Sequence, residues 1–220
     1  KGPVFSNIVL IDEVNRAPAK TQAALFEVME ERQVTVDGVT WPMEQPFIVM
    51  ATQNPVEHEG TYRLPEAQLD RFLFKVKIDY PTLEQEVSIL QNAQNRGSQQ
   101  ELDQVSPVIS AADIISFQEL VTQVVVEPEV LSYIASIIDK TRNHSSLFLG
   151  ASPRASLAVL RSARAFAALE GRDFVTPEDV KEMVVPVLNH RVMLTPEKEM
   201  EGLQPESVIR RIVDSVDVPR

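Results

Sequence analysis

The sequence predicts a two-part protein, with an α/β region followed by an all-helical region. Residues 1–81 mix short apolar strand runs with helical patterns, whereas residues 82–220 show helical periodicity almost throughout. The boundary falls near Tyr80-Pro81-Thr82. A chain of 220 residues, 44% of them hydrophobic, is long enough for one large domain or two small ones. We therefore expect two domains, at residues 1–81 and 82–220.

Two apolar runs in the first region predict buried strands that end in polar residues. Residues 8–11 read Ile-Val-Leu-Ile and are followed by Asp12 and Glu13, while residues 47–51 are followed by Thr-Gln-Asn-Pro at 52–55. Continuous apolar runs are typical of parallel strands buried on both faces. Because open α/β sheets place ligand chemistry at the carboxyl ends of their strands, these polar residues are candidates for a functional site.

The adjacent acids Asp12 and Glu13 fit metal-assisted hydrolysis. In P-loop nucleotidases an Asp after the strand holds Mg²⁺, usually through water, because Mg²⁺ takes oxygen ligands and keeps much of its hydration shell. A neighbouring Glu can orient and deprotonate the attacking water. The alternative is a strand that simply ends in two solvated acids.

The rest of the first region predicts two helices and a strand. A helix opens at Pro18 and packs an apolar face on the sheet, with its acidic residues turned mostly outward. These acids are Glu27, Glu30 and Glu31. A short helix with Pro65 at its first position is predicted over residues 64–72. Apolar and polar residues alternate over residues 74–79, which predicts a half-exposed strand that closes the α/β region.

A β-hairpin is predicted at residues 33–41, because Asp37-Gly38 supplies the two positive φ values of a type I′ turn. The predicted cross-strand pairs are Val36 with Val39, Val34 with Trp41, and Thr35 with Thr40. Two roles stay open for this hairpin. It packs on its own domain, or it projects to contact a substrate or another subunit.

The second region predicts a series of helices with proline and cap residues at their starts. The predicted spans are residues 82–94, 111–121, 128–141, 152–171, 176–188 and 205–216. Ser152-Pro153-Arg154 opens one helix with Ser as the cap and Pro in the first turn, and Gly171 ends it. A polar stretch at residues 96–106 predicts a loop.

Composition narrows the classes of function. The formal net charge of −11 argues against a large nucleic-acid interface, because duplex binding relies on neutralising phosphates with Lys and Arg. The absence of cysteine excludes disulfides and thiolate metal sites. No run approaches the roughly 18 apolar residues of a membrane span and no signal peptide opens the chain, so we expect a cytoplasmic protein.

Four motifs, in this order, resemble those of AAA+ ATPases, and specifically those of the MoxR family. They are IVLIDEVNRA at residues 8–17, ATQNP at 51–55, LPEAQLDRF at 64–72 and GASPRAS at 150–156. The resemblance covers nearly the whole chain. It implies the C-terminal part of an AAA+ P-loop nucleotidase core, with a parallel sheet and helices, followed by an all-α helical lid domain. It also implies ATP hydrolysis, with ATP and Mg²⁺ as cofactors.

The resemblance implies roles for residues of the α/β region. Asp12 and Glu13 look like the Walker B pair, with Asp12 for Mg²⁺ and Glu13 for the hydrolytic water. Asn54 looks like sensor 1, whose amide can donate to phosphate and accept from water. Arg71 matches the arginine finger that reaches a neighbouring subunit's nucleotide, where its guanidinium fork meets phosphoryl charge. Arg63 is a competitor for that role.

In the helical region, Arg154 matches sensor 2 at the start of a helix. It would contact the γ-phosphate and report nucleotide state to the lid, and a helix amino terminus already favours anions. The hairpin at residues 33–41 looks like the pre-sensor 1 hairpin, which projects toward a central pore or a partner.

The chain departs from the family in one respect, since it contains no Walker A loop. The GxxxxGK[ST] pattern needs a glycine followed by lysine, and none of the seven glycines has one. In the family this loop precedes Walker B, so we expect that it lies upstream of Lys1 and that this chain is a fragment. Without that loop the chain should hold Mg·ATP weakly and hydrolyse it poorly.

Three functions fit this reading. The first is an ATP-driven remodelling or chaperone-like machine that assembles as a ring, often a hexamer, with von Willebrand A domain partners and a protein substrate. The second is a chelatase-type or helicase-type motor of the same clade. The third is a non-catalytic interaction module that naturally lacks the phosphate-binding loop.

Overall fold

A computed structural model describes residues 2–53, 64–96 and 105–219. The α/β region (residues 2–53 and 64–81) contains, in order, β1 (Ile8–Ile11), a 3-10 turn (Val14–Arg16), α1 (Ala19–Glu31), β2 (Gln33–Val36), β3 (Val39–Pro42), β4 (Ile48–Ala51) and α2 (Glu66–Leu69). The helical region (residues 82–96 and 105–219) contains α3 (Leu83–Arg96), α4 (Ala111–Gln123), α5 (Pro128–Arg142), β5 (Leu147–Leu149), α6 (Pro153–Leu169), α7 (Pro177–Leu188), β6 (Met193–Leu194), α8 (Pro196–Met200) and α9 (Pro205–Asp214). Within these ranges, no helix is long and apolar enough to cross a membrane.

The two predicted apolar strands form a parallel pair. β1 and β4 are in register from Ile8 opposite Ile48 to Ile11 opposite Ala51, so their carboxyl ends meet at one edge. The expectation of burial on both faces was wrong for the residues described. Ile8 is 57% exposed and its neighbours on that face are similarly open, because the elements in the described ranges cover only the opposite face.

That opposite face packs on α1. Phe26 is 2% exposed and clusters with Val14 and Leu64, while Ile11 and Ala51 at the strand ends pack against them. The helix begins after Pro18, whose fixed φ suits a helix start, as the sequence predicts. α1 therefore ties the ends of the two strands to the segment at residues 64–72.

The hairpin prediction is confirmed in its register. β2 and β3 pair antiparallel, with Val36 opposite Val39, Val34 opposite Trp41 and Thr35 opposite Thr40. Asp37 and Gly38 both have positive φ, at 50° and 77°, as a type I′ turn requires. Trp41 is 47% exposed, so the apolar face of the hairpin is open rather than packed on its own domain.

The predicted strand at residues 74–79 was wrong. The segment forms no strand in the described part of the chain, and Ile78 is 92% exposed. Its backbone groups bond to the helical region instead. The N–H of Lys75 donates to the carbonyl of Pro186, and the side-chain amide of Asn189 donates to the carbonyl of Lys75.

The helical predictions are confirmed, and α5, α6, α7 and α9 share one continuous core. Apolar side chains from α5, α6, α7 and α9 meet there with almost no exposure, among them Ile137, Val159, Val184 and Ile209. A short antiparallel pair of β5 and β6 joins them, and the sequence did not indicate it. Most of the predicted polar loop at residues 96–106 lies outside the described residues.

Candidate functional site

The predicted acidic pair lies where the carboxyl ends of β1 and β4 meet, and Thr52 links the two strands there. The Thr52 hydroxyl donates to Oδ1 of Asp12 and accepts the backbone N–H of Glu13 at 2.9 Å. The backbone of Thr52 also donates to Ile11 and accepts from Val14, at 2.9 and 3.1 Å. One threonine therefore fixes the backbone and one carboxylate of the acidic strand end.

Glu13 has an unusual backbone conformation. Its φ is 49° and its ψ is 53°, in the left-handed region that L-residues occupy at a cost of about 1–2 kcal/mol. The hydrogen bonds around Thr52 hold this conformation in place. The Glu13 carboxylate pairs with Nε of Arg16 at 2.8 Å. Residues in strained conformations are held by their surroundings and are often found at functional sites.

Asp12 has the chemistry of a magnesium ligand. It is exposed at the sheet edge, and Thr52 uses only one of its two carboxylate oxygens. Carboxylate and hydroxyl oxygens are hard donors that suit Mg²⁺, which binds through one or two protein oxygens and retains water. No group of three or more acidic, His or Cys side chains suited to a metal occurs in the described ranges.

The two predicted arginines meet at one carboxylate. Arg71 approaches Oε2 of Glu30 at 3.1 Å, and Arg154 approaches Oε1 of the same side chain. The guanidinium of Arg71 also lies over the Phe26 ring, with 5.5 Å between Cζ and the ring centroid. Glu30 thus brings together the predicted finger and the predicted sensor 2. The acidic pair has other partners, namely Thr52 and Arg16. Asn54 and the competing Arg63 lie outside the described residues.

Asp70, next to Arg71, joins the α/β region to the helical region. Its Oδ1 accepts from Nε of Arg191 at 2.8 Å, and its Oδ2 accepts from the hydroxyl of Ser152 at 2.9 Å. Arg191 is 3% exposed in its side chain and donates further to the backbone carbonyl of Phe72. Nε2 of His190 donates to that same carbonyl at 2.9 Å, and burial lowers the pKa of this ring to about 4. This network fixes the backbone beside both arginines.

The loop before α6 is fixed from its other side by α5. The N–H of Ala151 donates to the Thr141 hydroxyl at 2.9 Å, and Nε of Arg142 donates to the Ala151 carbonyl at 3.0 Å. Gly150 packs so closely that a Cβ atom there would lie 2.5 Å from Cα of Arg142. The GASPRAS motif therefore presents Arg154 from a rigid turn.

Sequence reasoning missed Thr52 and Glu30. Thr52 belongs to a motif noted for Asn54, and its position after a strand parallel to β1 was the one available signal. Glu30 was expected to face outward, and nothing in the helical pattern of α1 distinguishes it from Glu31. Its partners come from distant parts of the chain, so only the fold identifies it.

Comparison with known proteins gives a consistent family. Residues 1–74 match the family model described as "ATPase family associated with various cellular activities (AAA)", and residues 139–212 match "AAA lid domain". YeaC of Bacillus subtilis is 48% identical over 99% of this chain and 67% of its own length. The chaperone MoxR1 of Mycobacterium tuberculosis is 43% identical over 100% of this chain and 59% of its own length.

A solved structure from Cytophaga hutchinsonii has the same fold. It is 41% identical with a TM-score of 0.92, and the match covers 100% of this chain and 68% of that one. The chain therefore spans 59% to 68% of the length of these three relatives.

Proposed function

The chain belongs to the MoxR family of AAA ATPases, and we propose that it forms part of a Mg²⁺-dependent ATP-hydrolysing site. In this proposal the chain supplies the Walker B, sensor and arginine residues of that site, and the whole protein is a chaperone-like remodelling machine. It contains a portion of the AAA core, with a parallel strand pair and helices, followed by the helical AAA lid. The observation that carries the proposal is the Thr52-linked pair of Asp12 and Glu13 where two parallel strands end.

In this proposal Asp12 holds the metal. Thr52 donates to one carboxylate oxygen, which orients Asp12, and the other oxygen would ligate the metal. A bound Mg²⁺ would polarise the phosphate oxygens and offset the charge that develops during phosphoryl transfer. Asp12 needs no large movement for this role, because the hydrogen bonds of Thr52 already fix the strand end.

Glu13 orients and deprotonates the attacking water. Its left-handed backbone departs from the strand conformation just after β1 ends. Asp12 and Glu13 would serve metal and water separately. Arg16, three residues on, holds the Glu13 carboxylate. Asn54 follows the end of β4 in sequence and would complete the water site as sensor 1.

Arg71 and Arg154 provide the positive charge. Guanidinium groups match the spread of charge over transferring phosphoryl oxygens, and arginine fingers contribute about 10³- to 10⁵-fold in rate. We propose that Arg71 acts as the finger on a neighbouring subunit's nucleotide and that Arg154 acts as sensor 2. Their shared contact with Glu30, rather than with the acidic pair, supports a role for both arginines on one nucleotide, that of the neighbouring subunit.

The wider assembly forms part of the proposal. A trans-acting finger requires a neighbouring subunit, and we expect a ring, with a hexamer as its form. The open apolar face of the hairpin, with Val36, Val39 and Trp41 about half exposed, would contact a protein substrate or partner such as a von Willebrand A domain protein. A net charge of −11 disfavours nucleic acid as the substrate. We expect the machine to work in the cytoplasm.

The substitution Glu13→Gln in the full-length protein tests the proposed hydrolysis. The amide keeps the shape of the side chain but cannot take a proton, so steady-state ATP turnover should fall by about 10²-fold or more while nucleotide binding is retained. Phosphate release measures turnover, and titration with a fluorescent ATP analogue measures binding. Glu31→Gln on α1 is the matched control and should leave both unchanged. Equal turnover in Glu13→Gln and the parent protein would remove Glu13 from the mechanism.

A further inference from the structure

Glu30 uses one carboxylate to contact two arginines that come from different regions. It lies in the last turn of α1, whereas Arg71 follows α2 and Arg154 lies in the first turn of α6. Each carboxylate oxygen takes one guanidinium, Oε2 from Arg71 at 3.1 Å and Oε1 from Arg154. The contact is therefore a bridge between the α/β region and the helical region, rather than a pair within one helix.

α1 holds Arg71 on two sides. Phe26 lies one turn before Glu30, and its ring accepts the Arg71 guanidinium at 5.5 Å from Cζ. Phe26 itself is 2% exposed and packs edge-on against Phe72. The ring faces the guanidinium and the carboxylate lies at one of its terminal nitrogens, so two side chains of α1 orient Arg71.

Arg154 reaches Glu30 from a turn that is already fixed. The Ser152 hydroxyl bonds to Asp70, which is also held by Arg191. The backbones that carry Arg71 and Arg154 are thus joined through Asp70, and the two side chains are joined through Glu30. These two links set the spacing of the guanidinium groups.

The cluster keeps a net positive charge and free donors. Two guanidinium groups and one carboxylate sum to +1, and the Arg154 side chain is 53% exposed. Each guanidinium carries five N–H donors, and the contact with Glu30 is made through one terminal nitrogen of each arginine. The pair therefore presents further donors that an anionic group can use.

We propose that Glu30 is a positioning residue that holds Arg71 and Arg154 together as a pair for one phosphoryl group. This inference rests on the proposed function, since that function supplies the phosphoryl group. A carboxylate that merely competed with phosphate would have the opposite effect, because removing it would strengthen anion binding and raise activity.

Glu30→Ala in the full-length protein, with Glu31→Ala as the matched control, separates these roles. Misplacing the arginines should lower kcat by about 10- to 100-fold with little change in KM for ATP, because the arginines act on charge in the transition state. Glu30→Gln keeps one acceptor oxygen and should fall between the parent and Glu30→Ala. The double variant Glu30→Ala with Arg154→Ala should lose less activity than the product of the two single losses, because one of the two arginines that Glu30 positions is then already absent. Activity at or above the parent level in Glu30→Ala, or losses that multiply in the double variant, would overturn the proposal.

Arginine labelling gives a readout that does not depend on ATP hydrolysis. Phenylglyoxal modification followed by mass spectrometry measures the reactivity of Arg71 and Arg154, with the exposed Arg161 on α6 as an internal reference. Glu30→Ala should raise the reactivity of both arginines together, and Glu31→Ala should raise neither. Unchanged labelling in Glu30→Ala would refute the pairing. A joint rise in a protein that hydrolyses no ATP would instead refute the proposed function and retain the pairing.

Discussion

The two regions of the molecule bury apolar surface very differently. In the helical region, four helices enclose one continuous core in which Ile137, Val184 and Ile209 have no exposed surface. In the described part of the α/β region, the buried cluster is small and centres on Phe26, while Leu10 on β1 is 65% exposed. The helical region is stabilised by its own packing. The α/β region instead carries most of the residues assigned to chemistry.

This difference explains why the arginines depend on both regions. Arg71 gains its fixed position from Glu30 and Phe26 on α1, but the backbone beside it is held by Arg191 and Ser152 of the helical region. The segment that carries Arg71 buries little apolar surface of its own, and its contacts with the well-packed helical region hold it in place. Three matched pairs of substitutions test the contrast, each comparing one residue from each region.

The largest expected effect comes from matched isoleucines. Ile137→Ala in α5 removes a fully buried side chain from the helical core and should lower the free energy of unfolding by about 3–4 kcal/mol. Ile8→Ala in β1 removes a side chain that is 57% exposed and should cost about 1 kcal/mol or less. Urea denaturation of both variants measures the difference. Equal losses would show that the two regions are equally well packed.

The second comparison uses two aspartates with different purposes. Asp179 in α7 is 1% exposed, caps its helix through Thr176 and forms a two-point ion pair with Arg172. Asp179→Ala should therefore cost about 2–3 kcal/mol. Asp12 is exposed, so Asp12→Ala should cost about 1 kcal/mol while it abolishes Mg²⁺-dependent turnover in the full-length protein. Thermal unfolding and phosphate release measure the two effects.

The ion pair of Asp179 predicts that the stability of the protein depends on pH in the acid range. Burial alone would raise the pKa of Asp179, but the hydrogen bonds from Arg172 and Thr176 outweigh it and hold the pKa below its usual value. Because this pKa is lower in the folded protein than in the unfolded chain, where it is about 4, ionised Asp179 stabilises the fold at pH values above about 4. This contribution is lost as the pH falls below about 4 and through the pKa of the folded protein. Asp179→Ala should therefore flatten the acid side of the stability profile, and an unchanged profile would contradict the assignment.

The sequence predicted local structure well where local chemistry decides it. Asp37-Gly38 allows the positive φ values of one turn type, so the hairpin register followed directly. Proline and cap residues likewise marked the helix starts. The strand predicted at residues 74–79 was wrong because a strand needs a hydrogen-bonded partner strand, and the alternation of apolar and polar residues does not identify one. Here the partner of Lys75 is a helix end.

The candidate site was predictable only as separate motifs. Asp12 and Glu13 could be placed at a strand end, but the role of Thr52 depends on which strand lies beside β1. Glu30 and Asp70 are acids on helices or turns with no distinctive spacing. Their importance arises from contacts with Arg154 and Arg191, which the fold brings from far along the chain.

The smallest expected effects come from two glycines that are needed for different reasons. A Cβ at Gly150 in the helical region would lie 2.5 Å from Cα of Arg142, a backbone atom that the α5 helix holds in place. Gly150→Ala should therefore cost about 2 kcal/mol, as an overpacked site does. Gly38 in the hairpin has open space around it but a φ of +77°, so Gly38→Ala should cost about 1 kcal/mol through backbone strain alone.

These two glycine variants should also differ in what they disturb. Gly150→Ala pushes the turn that carries Arg154 away from α5, so phenylglyoxal labelling of Arg154 should rise along with the loss of stability. Gly38→Ala acts at the tip of an exposed hairpin and should leave that labelling unchanged. That result would show that tight packing in the helical region positions Arg154. Loss of stability in Gly150→Ala without any change in the labelling of Arg154 would show that this packing does not position Arg154.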